Sequence, residues 1–372
     1  MNNPRKPIER FHAIIPAGGV GSRLWPLSRA SAPKFLHDLT GSGQTLLQDT
    51  WDRITPIATH QRTMIVTGLA HEEAVKSQLP QLSPLNLVIE DSPKDSTAAI
   101  ALAAAILARR EPDVIIGSFA ADHVIQDTVA FQAAVAEGIE IAATDRIVVI
   151  GIEPTEASVG FGYIKTGQAL SVPGAPSALT VEKFVEKPKL DRAKKYVESG
   201  KYLWNAGMFI APASLLLRQL AKSEPGLHAG ILELAAAWDT DHKAATIKKV
   251  WPTLKKVAID YSIAEPAAEA GLVAVVPGKF SWHDVGDFAA IAELQSQGRK
   301  NNLAVLGSAR VLSDSSSGIL VSDTKRMIAV IGLEDVIIVD TPDALLVTNK
   351  ENAQKVKALV DSLKATGHDE IL

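Results

Sequence analysis

Short apolar runs alternate with longer segments of helical periodicity over residues 1–151 of the chain. Short runs rich in Val and Ile predict buried strands, whereas apolar residues repeated at helical spacing predict helices. The predicted strands cover residues 11–15, 62–67, 86–90, 113–118 and 146–151. The predicted helices cover residues 45–54, 70–79, 97–109 and 128–143.

The strict alternation of strands and helices predicts βαβ units, and therefore an α/β fold with a mostly parallel sheet. Sheets of this kind bind ligands beside the carboxyl ends of their strands. The loops that follow Ile15, Glu90 and Ser118 should therefore lie together at one edge of the sheet.

Two further regions follow, and their patterns differ. Residues 152–300 mix strands and helices less regularly, and we interpret them as a substrate-binding extension of the same sheet. Over residues 301–372, short apolar runs recur with turns between them until a helical segment at 350–363. This pattern predicts a small all-β domain that ends in a helix. A few coils of a β-helix and an irregular β-sandwich both fit, and we favour the β-helix.

Length and composition narrow the protein class. The 372 residues exceed what one hydrophobic core usually holds, so a domain of residues 1–300 and a second of 301–372 suit the length. The net charge of −4 gives no reason to expect nucleic acid as a partner. The absence of cysteine excludes a disulfide framework and a cysteine nucleophile. No apolar run is long enough to span a bilayer, and we expect a cytoplasmic protein without a membrane partner.

A glycine-rich loop follows the first predicted strand and is the strongest local signal in the chain. It reads Ala17-Gly18-Gly19-Val20-Gly21-Ser22-Arg23 and runs on to Pro33-Lys34. Glycines let the backbone approach a ligand closely, and successive N–H groups then form an anion-binding nest. Because Arg23 and Lys34 add positive charge, the loop is suited to a triphosphate.

Two common phosphate-binding loops do not fit the spacing. A dinucleotide-binding loop needs glycine at the position of Leu24, and a Walker loop needs Gly-Lys followed by Ser or Thr. The two Gly-Lys pairs of this chain are followed by Tyr202 and Phe280 instead. A tight turn between strand and helix is the remaining alternative, and the charges of the loop argue against it.

The loop resembles the signature of the sugar-1-phosphate nucleotidylyltransferases, and its continuation Trp25-Pro26-Leu27-Ser28 resembles their mannose-1-phosphate guanylyltransferase branch. Further fragments resemble the family in the family's order: Ala121-Asp122-His123, Phe184-Val185-Glu186-Lys187-Pro188, Trp204-Asn205-Ala206-Gly207-Met208-Phe209, Ile259-Asp260-Tyr261-Ser262 and Trp282-His283-Asp284-Val285-Gly286. The resemblance implies a Rossmann-like nucleotide-binding core, in agreement with the predicted alternation.

The resemblance also implies which residues contact the nucleotide. It assigns the glycine loop to the phosphates, with Arg23 and Lys34 as catalytic cations. The loop's nucleotide-binding residues are Ala17, Gly18, Gly19, Gly21 and Ser22. It further directs a helix N-terminus at the nucleotide through Lys94, Ser96 and Thr97. The alternative for this segment is a simple helix cap by Asp95 or Ser96.

For the metal, the resemblance implies a Mg²⁺ cofactor held by Asp122 and Asp284, and carboxylates are ligands that this ion prefers. Asp122 is otherwise a surface acid or a helix cap, and Asp284 otherwise caps the helix that begins near Asp287. For the sugar phosphate, the resemblance implies Gly162, Glu186, Lys187, Asn205, Gly207 and Asp260. Of these, Asp260 orients either the sugar or Lys187.

The implied reaction converts GTP and mannose 1-phosphate into GDP-mannose and pyrophosphate. Glucose-1-phosphate thymidylyltransferase is the nearest alternative activity, and a regulatory paralogue without catalysis is an alternative of another class. A homo-oligomer remains open. Bifunctional relatives carry an isomerase domain for which the sequence beyond residue 301 is too short, so isomerase activity is not expected.

Overall fold

A computed structural model gives the structure of residues 5–296 and 302–372. The strands are β1 (Phe11–Ala17), β2 (Thr63–Gly68), β3 (Leu87–Glu90), β4 (Ile115–Ser118), β5 (Val124–Ile125), β6 (Ile147–Ile152), β7 (Tyr163–Ala169), β8 (Leu179–Val185), β9 (Tyr202–Pro212), β10 (Val273–Pro277), β11 (Trp282–His283), β12 (Leu303–Gly307), β13 (Arg310–Asp314), β14 (Gly318–Ser322), β15 (Met327–Ile331), β16 (Val336–Asp340) and β17 (Leu345–Asn349). The α-helices are α1 (Leu46–Ala58), α2 (Glu72–Gln78), α3 (Asp95–Arg110), α4 (Thr128–Ala142), α5 (Leu190–Ser199), α6 (Ala213–Ser223), α7 (Pro225–Ala237), α8 (Lys243–Val250), α9 (Glu265–Glu269), α10 (Phe288–Ser296) and α11 (Val356–Ala365).

One nine-stranded sheet forms the centre of the larger part of the molecule, in the order β3-β2-β1-β4-β9-β6-β10-β8-β7. Its first four strands are parallel, which confirms the α/β prediction. β9 runs antiparallel between β4 and β6, and β8 runs antiparallel to β10, so the complete sheet is mixed. Because β1, β3 and β4 are parallel, the loops after them share one edge, as predicted.

The strands of residues 147–277 continue this sheet, so the extension does not form a sheet of its own. The sequence pattern does not predict β7, because this strand carries polar residues on its half-exposed positions. The predicted domain boundary at residue 300 lies outside the described residues. The division of residues 1–300 into 1–151 and 152–300 stays a prediction.

The alanine-rich helix α3 lies in the middle of one hydrophobic core. All its residues from Thr97 to Leu107 are buried, between the sheet and helices that include α6 and α7. A helix that is apolar on every side is expected to be enclosed in this way. The small alanine side chains allow the close approach of neighbours on several sides. Its N-terminus is thereby fixed at the ligand-binding edge of the sheet.

The C-terminal part is a short β-helix, as predicted, and the β-sandwich alternative is wrong. β12, β14 and β16 form one parallel ladder, and β13 and β15 form a second. β17 closes the first ladder antiparallel to β16, and α11 follows. Gly318, with φ +125°, stands where a Cβ would collide with the backbone of Val336 in the next coil. Only glycine fits at this position, where two coils of the β-helix come close together.

The β-helix packs directly against the glycine-rich loop. Leu24, Trp25 and Leu27 share a hydrophobic cluster with Val356 and Val360 of α11. The Trp25 Nε1–H also donates to the carbonyl oxygen of Ile371 at 2.7 Å. The loop is therefore held between the sheet and the C-terminal domain.

None of the helices in residues 5–296 and 302–372 combines the length and the apolar character needed to cross a membrane.

Candidate active site

The glycine-rich loop begins where β1 ends at Ala17 and passes over the side chain of Lys34. Gly18 and Gly19 are exposed at the edge of the sheet, and Gly21 takes a left-handed φ of +70°. A Cβ at Gly21 would lie only 2.9 Å from the Cβ of Lys34, so a side chain there would displace one of the two. Ser22 and Arg23 then form a short 3₁₀ turn, with the Arg23 side chain exposed.

Lys34 lies beneath this loop and joins the two predicted metal ligands. Its Nζ forms an ion pair with Asp122 Oδ2 at 2.8 Å and donates to the Asp284 carbonyl oxygen at 2.6 Å. Burial by itself lowers the pKa of Lys34, but the carboxylates of Asp122 and Asp284 outweigh it and raise the pKa above its usual value. Lys34 is therefore a fixed buried cation, whereas Arg23 is exposed to solvent.

Asp122 and Asp284 are far apart in sequence and meet through a two-stranded ribbon. β5 pairs antiparallel with β11, and His283 lies opposite Val124. This pairing brings the residues just before β5 and just after β11 to one place, as expected for a shared site. The alternative role of Asp284 as a helix cap is wrong, because Asp287 Oδ1 accepts from Ala290 N at 2.9 Å and caps α10 itself.

His123 lies between the ribbon and Asp284. Its Nε2 is 3.6 Å from Asp284 Oδ1, and its ring meets Trp282 edge-on. Burial alone raises the pKa of Asp284, but His123, Lys34 and Lys187 lower it well below the usual range. The Asp284 side chain is 43% exposed, so a permanently ionised carboxylate faces the cleft.

The carboxylates of Asp122 and Asp284 are the type of ligand that Mg²⁺ prefers. Asp122, 27% exposed, and Asp284 offer carboxylate oxygens at the same cleft. No group of three or more His, Cys, Asp and Glu side chains arranged for a metal occurs in the described part of the chain. Mg²⁺ is usually held by one or two carboxylates together with substrate phosphates and water, so two acids are sufficient.

The residues predicted for the sugar phosphate come together next to His123, whose ring lies 3.8 Å from the position of a Cβ at Gly207. Lys187 Nζ pairs with Glu186 Oε1 at 2.7 Å, and Asn205 Nδ2 donates to Asp260 Oδ1 at 2.9 Å. Gly207, with φ +67°, donates its N–H to Asn205 Oδ1 at 3.1 Å. Asn205 is thereby fixed at both ends of its amide.

Gly162 controls the position of the Glu186 carboxylate. A Cβ at Gly162 would lie 2.5 Å from Glu186 Oε2. That oxygen is buried and accepts no hydrogen bond from any described residue. A buried carboxylate oxygen without a donor is costly, so the arrangement fits an oxygen that accepts from a ligand.

Asp260 begins a π-helical turn (Asp260–Ala264) in the same group. Burial, followed by the nearby charge of Glu186, raises its pKa from the ordinary 3.8 to about 7. The folded protein therefore binds a proton here that the unfolded chain releases above about pH 4. The stability that this proton provides is present below pH 4 and is lost as the pH rises to about 7.

Replacement of Asp260 by asparagine should remove this pH dependence, because the amide keeps the shape without the charge. We expect the melting temperature of Asp260→Asn to rise relative to the unchanged protein between pH 5 and pH 8, by at least about 2 °C. Thermal unfolding at both pH values measures it, with Asp361→Asn on the exposed side of α11 as control. An identical difference at pH 5 and pH 8 would contradict the raised pKa.

Comparison with known proteins decides the family of this chain. The nucleotidyl transferase family model matches residues 12–301, and that of the MannoseP isomerase/GMP-like beta-helix domain matches residues 309–363. The chain belongs to the nucleotidyl transferase family. Its α/β sheet and terminal β-helix correspond to these two matches in order.

Comparison with individual proteins gives the same family for this nucleotidyl transferase. Xanthan biosynthesis protein XanB of Xanthomonas campestris pv. campestris is 36% identical over 96% of this chain and 74% of its own length. Mannose-1-phosphate guanylyltransferase RfbM of Salmonella typhimurium is 34% identical over 97% of this chain and 74% of its own. A solved structure from Thermus thermophilus, described as a mannose-1-phosphate geranyltransferase, superposes with a TM-score of 0.84 at 28% identity, covering 95% of this chain and 99% of that one.

At the start of α3, the side chains predicted to contact the nucleotide form hydrogen bonds within the protein. Ser96 Oγ accepts from Ile259 N at 2.9 Å, the buried Thr97 hydroxyl bonds Ser262, and Lys94 Nζ donates to the Pro252 carbonyl. Ser96 and Thr97 thus tie α3 to the segment that carries Asp260, and Lys94 ties it to the turn before that segment. Of the two residues in the helix-cap alternative, Asp95 does accept from a backbone N–H of the first turn, that of Ser96 at 2.8 Å, whereas the Ser96 hydroxyl bonds Ile259. A contact of these residues with the nucleotide stays a prediction.

Glu90 is a site candidate that sequence reasoning missed. It ends β3 at the ligand-binding edge, and its Oε1 is buried without a partner among the described residues. Burial, followed by the charge of Asp95, raises its pKa to about 7. The available signal was an acid that closes the apolar run Leu87-Val88-Ile89 at the predicted edge.

Proposed function

We propose that this nucleotidyl transferase forms GDP-mannose and pyrophosphate from GTP and mannose 1-phosphate, with Mg²⁺ as cofactor. One observation carries the proposal. His123 contacts both groups of residues, because its Nε2 is 3.6 Å from Asp284 Oδ1 and a Cβ at Gly207 would lie 3.8 Å from its ring. Lys34, under the glycine loop, donates to the Asp284 carbonyl oxygen at 2.6 Å, and Gly207 donates to Asn205 beside Asp260. The glycine loop and a polar pocket suited to hydroxyls therefore lie next to one another.

The chemistry that this arrangement supports is direct transfer. An oxygen of the sugar phosphate attacks the α-phosphorus of the nucleotide, and a new P–O bond forms. The bond from that phosphorus to the bridging oxygen breaks, and the electron pair leaves with pyrophosphate. No general base is needed, because the attacking phosphate is already ionised. The protein has to align two polyanions and offset their charge.

Each charged group has a place in this scheme. The exposed ammonium of Lys187, held by Glu186, suits the acceptor phosphate as a compact positive charge. Arg23 and the loop N–H groups suit the phosphates of the nucleotide. Asp122 and Asp284 would hold Mg²⁺, which when bound offsets negative charge on phosphate oxygens.

Two unpartnered carboxylate oxygens support the choice of substrates. Glu186 Oε2 can accept a hydroxyl hydrogen of the sugar, beside the amide of Asn205. Glu90, at the end of β3, can accept from a base that presents N–H donors. Guanine presents two adjacent donors, its ring N1–H and its exocyclic amine, whereas thymine presents only its ring N3–H, so a carboxylate at this place suits guanine better. The relatives named as mannose-1-phosphate guanylyltransferases point to the same pair of substrates.

The test is a matrix of four nucleoside triphosphates against the 1-phosphates of mannose, glucose and N-acetylglucosamine, with pyrophosphate release as the readout. We expect the highest kcat/KM for GTP with mannose 1-phosphate. A faster reaction with thymidine triphosphate and glucose 1-phosphate would replace the proposal with the nearest alternative. No release with any pair would favour the regulatory paralogue.

Replacement of Lys187 by alanine should raise the KM for mannose 1-phosphate by about tenfold or more, because one charged contact to the acceptor phosphate is worth about 1.5–3 kcal/mol. The KM for GTP should change much less. Steady-state kinetics with each substrate varied in turn measures both values. Lys189→Ala, an exposed lysine two residues away, is the matched control. Equal effects on the two substrates would assign Lys187 to the nucleotide or to the structure.

A further inference from the structure

A small cavity lies where the glycine loop meets helix α11. Its volume is about 190 Å³, and its lining residues are Gly21, Ser22, Arg23, Gly286 and Lys357. Four of them belong to the loop or lie just after Asp284 in the chain. Lys357 instead comes from the C-terminal domain, and the proposed function gives it no role.

The direction of Lys357 follows from the packing of α11. Val356 and Val360 are buried against the cluster that contains Leu24 and Trp25. At about 100° per residue, position 357 lies about 60° from position 360 around the helix axis. Lys357 therefore emerges at the flank of the buried face, beside the loop, and not on the outer face of the helix.

The helix is held firmly in this position. Trp25 donates to the Ile371 carbonyl just beyond α11, and Arg29 pairs with Asp343 at 2.7 Å. The buried contacts of Val356 and Val360 add to these polar links. The backbone position of Lys357 is therefore set before a ligand arrives, while its side chain is exposed and accessible to the ligand.

The charge around the cavity indicates its ligand. Arg23 and Lys357 take part in none of the ion pairs found among the described residues. The cavity thus presents two uncompensated cations and the backbone of a glycine loop, which together suit a phosphate group. Its volume falls below the roughly 300 Å³ of sites that enclose a drug-sized ligand, so it fits a phosphate moiety rather than a whole nucleotide.

We propose that Lys357 is a further catalytic residue, supplied by the C-terminal domain, that binds the outer two phosphates of the nucleotide and then the leaving pyrophosphate. The inference rests on the proposed function for the direction of transfer. As the bond to the α-phosphorus breaks, its electron pair and the growing negative charge pass to the pyrophosphate. Arg23 and Lys357 offset that charge from two sides of the cavity.

The experiment compares the full-length unchanged protein with Lys357→Ala and Lys357→Arg. In the reverse reaction, we expect Lys357→Ala to raise the KM for pyrophosphate by about tenfold, with the KM for the sugar nucleotide within about twofold. Direct calorimetric titration with inorganic pyrophosphate should show a similar loss of affinity. Lys357→Arg should recover most of the affinity, because the charge returns.

Lys364→Ala is the matched control, since Lys364 is exposed two turns along α11 and does not line the cavity. It should bind pyrophosphate like the unchanged protein. Equal pyrophosphate affinity in the unchanged protein and Lys357→Ala would overturn the inference, even if GDP-mannose synthesis is demonstrated. Weaker binding in Lys357→Ala would support it even if the preferred sugar or base turns out to be another.

Discussion

Replacement of Lys34 by alanine should reduce kcat by about 10²–10³, the loss typical of removing one preorganised charge that stabilises a transition state. The variant should also have a lower melting temperature. Lys34 is buried and forms an ion pair with Asp122, so its removal leaves that carboxylate without its cation and the Asp284 carbonyl oxygen without this donor. Pyrophosphate release and thermal unfolding measure the two effects.

Arg23→Ala is the natural comparison for this prediction. Its side chain is exposed, so we expect a similar loss of turnover with an unchanged melting temperature. The sequence treats Arg23 and Lys34 alike, as two cations of one loop, whereas the structure separates a surface charge from a buried one. Near-normal turnover in both variants would rule out the assignment of this loop to the triphosphate.

The second large effect concerns the acids. Asp122→Asn and Asp284→Asn should each lower activity by about 10²-fold and shift its dependence on Mg²⁺ to higher concentrations, because one charged oxygen ligand is lost. Asp284 is half-exposed and Asp122 partly so, and neither is a helix cap in the described structure. The melting temperature of Asp284→Asn should therefore change little, whereas Asp122→Asn should lower it, because buried Lys34 loses its carboxylate partner. Titration of activity with Mg²⁺ shows the shift in both variants.

Asp287→Ala provides the control, because Asp287 caps α10 and pairs with Gln354 of the C-terminal domain. It should cost about 1 kcal/mol of stability and leave the Mg²⁺ dependence unaltered. If Asp284→Asn behaves like Asp287→Ala, with a normal Mg²⁺ curve and a lowered melting temperature, then Asp284 is not a metal ligand.

The sequence predicts most of the fold because its strands are buried and its turns are marked by glycine. The loop from Ala17 to Arg23 is predicted at its observed place, and so is the repetitive pattern of the β-helix. The strands β5 and β11 escape prediction, since two-residue strands have no periodicity to detect. Yet these strands bring Asp122 and Asp284 together.

For the site, residue types and resemblance predict a set of residues, but they do not predict the bonds that these residues make within the protein. Thr97 and Ser96 have the right chemistry for a nucleotide, and their hydroxyls are instead engaged by residues 259–262. Glu90 has no motif around it, and only its burial without a partner marks it. Such features depend on long-range packing, which a local pattern does not contain.

The shared cluster of Leu24, Trp25 and Leu27 with α11 has a consequence for protein engineering. A chimaera that takes residues 1–296 from this chain and the β-helix from a relative would change one wall of the phosphate loop. We therefore expect such an exchange to change the binding of the nucleotide even though residues 1–296 keep their sequence. An exchange that keeps this packing has to take the loop and α11 from the same parent.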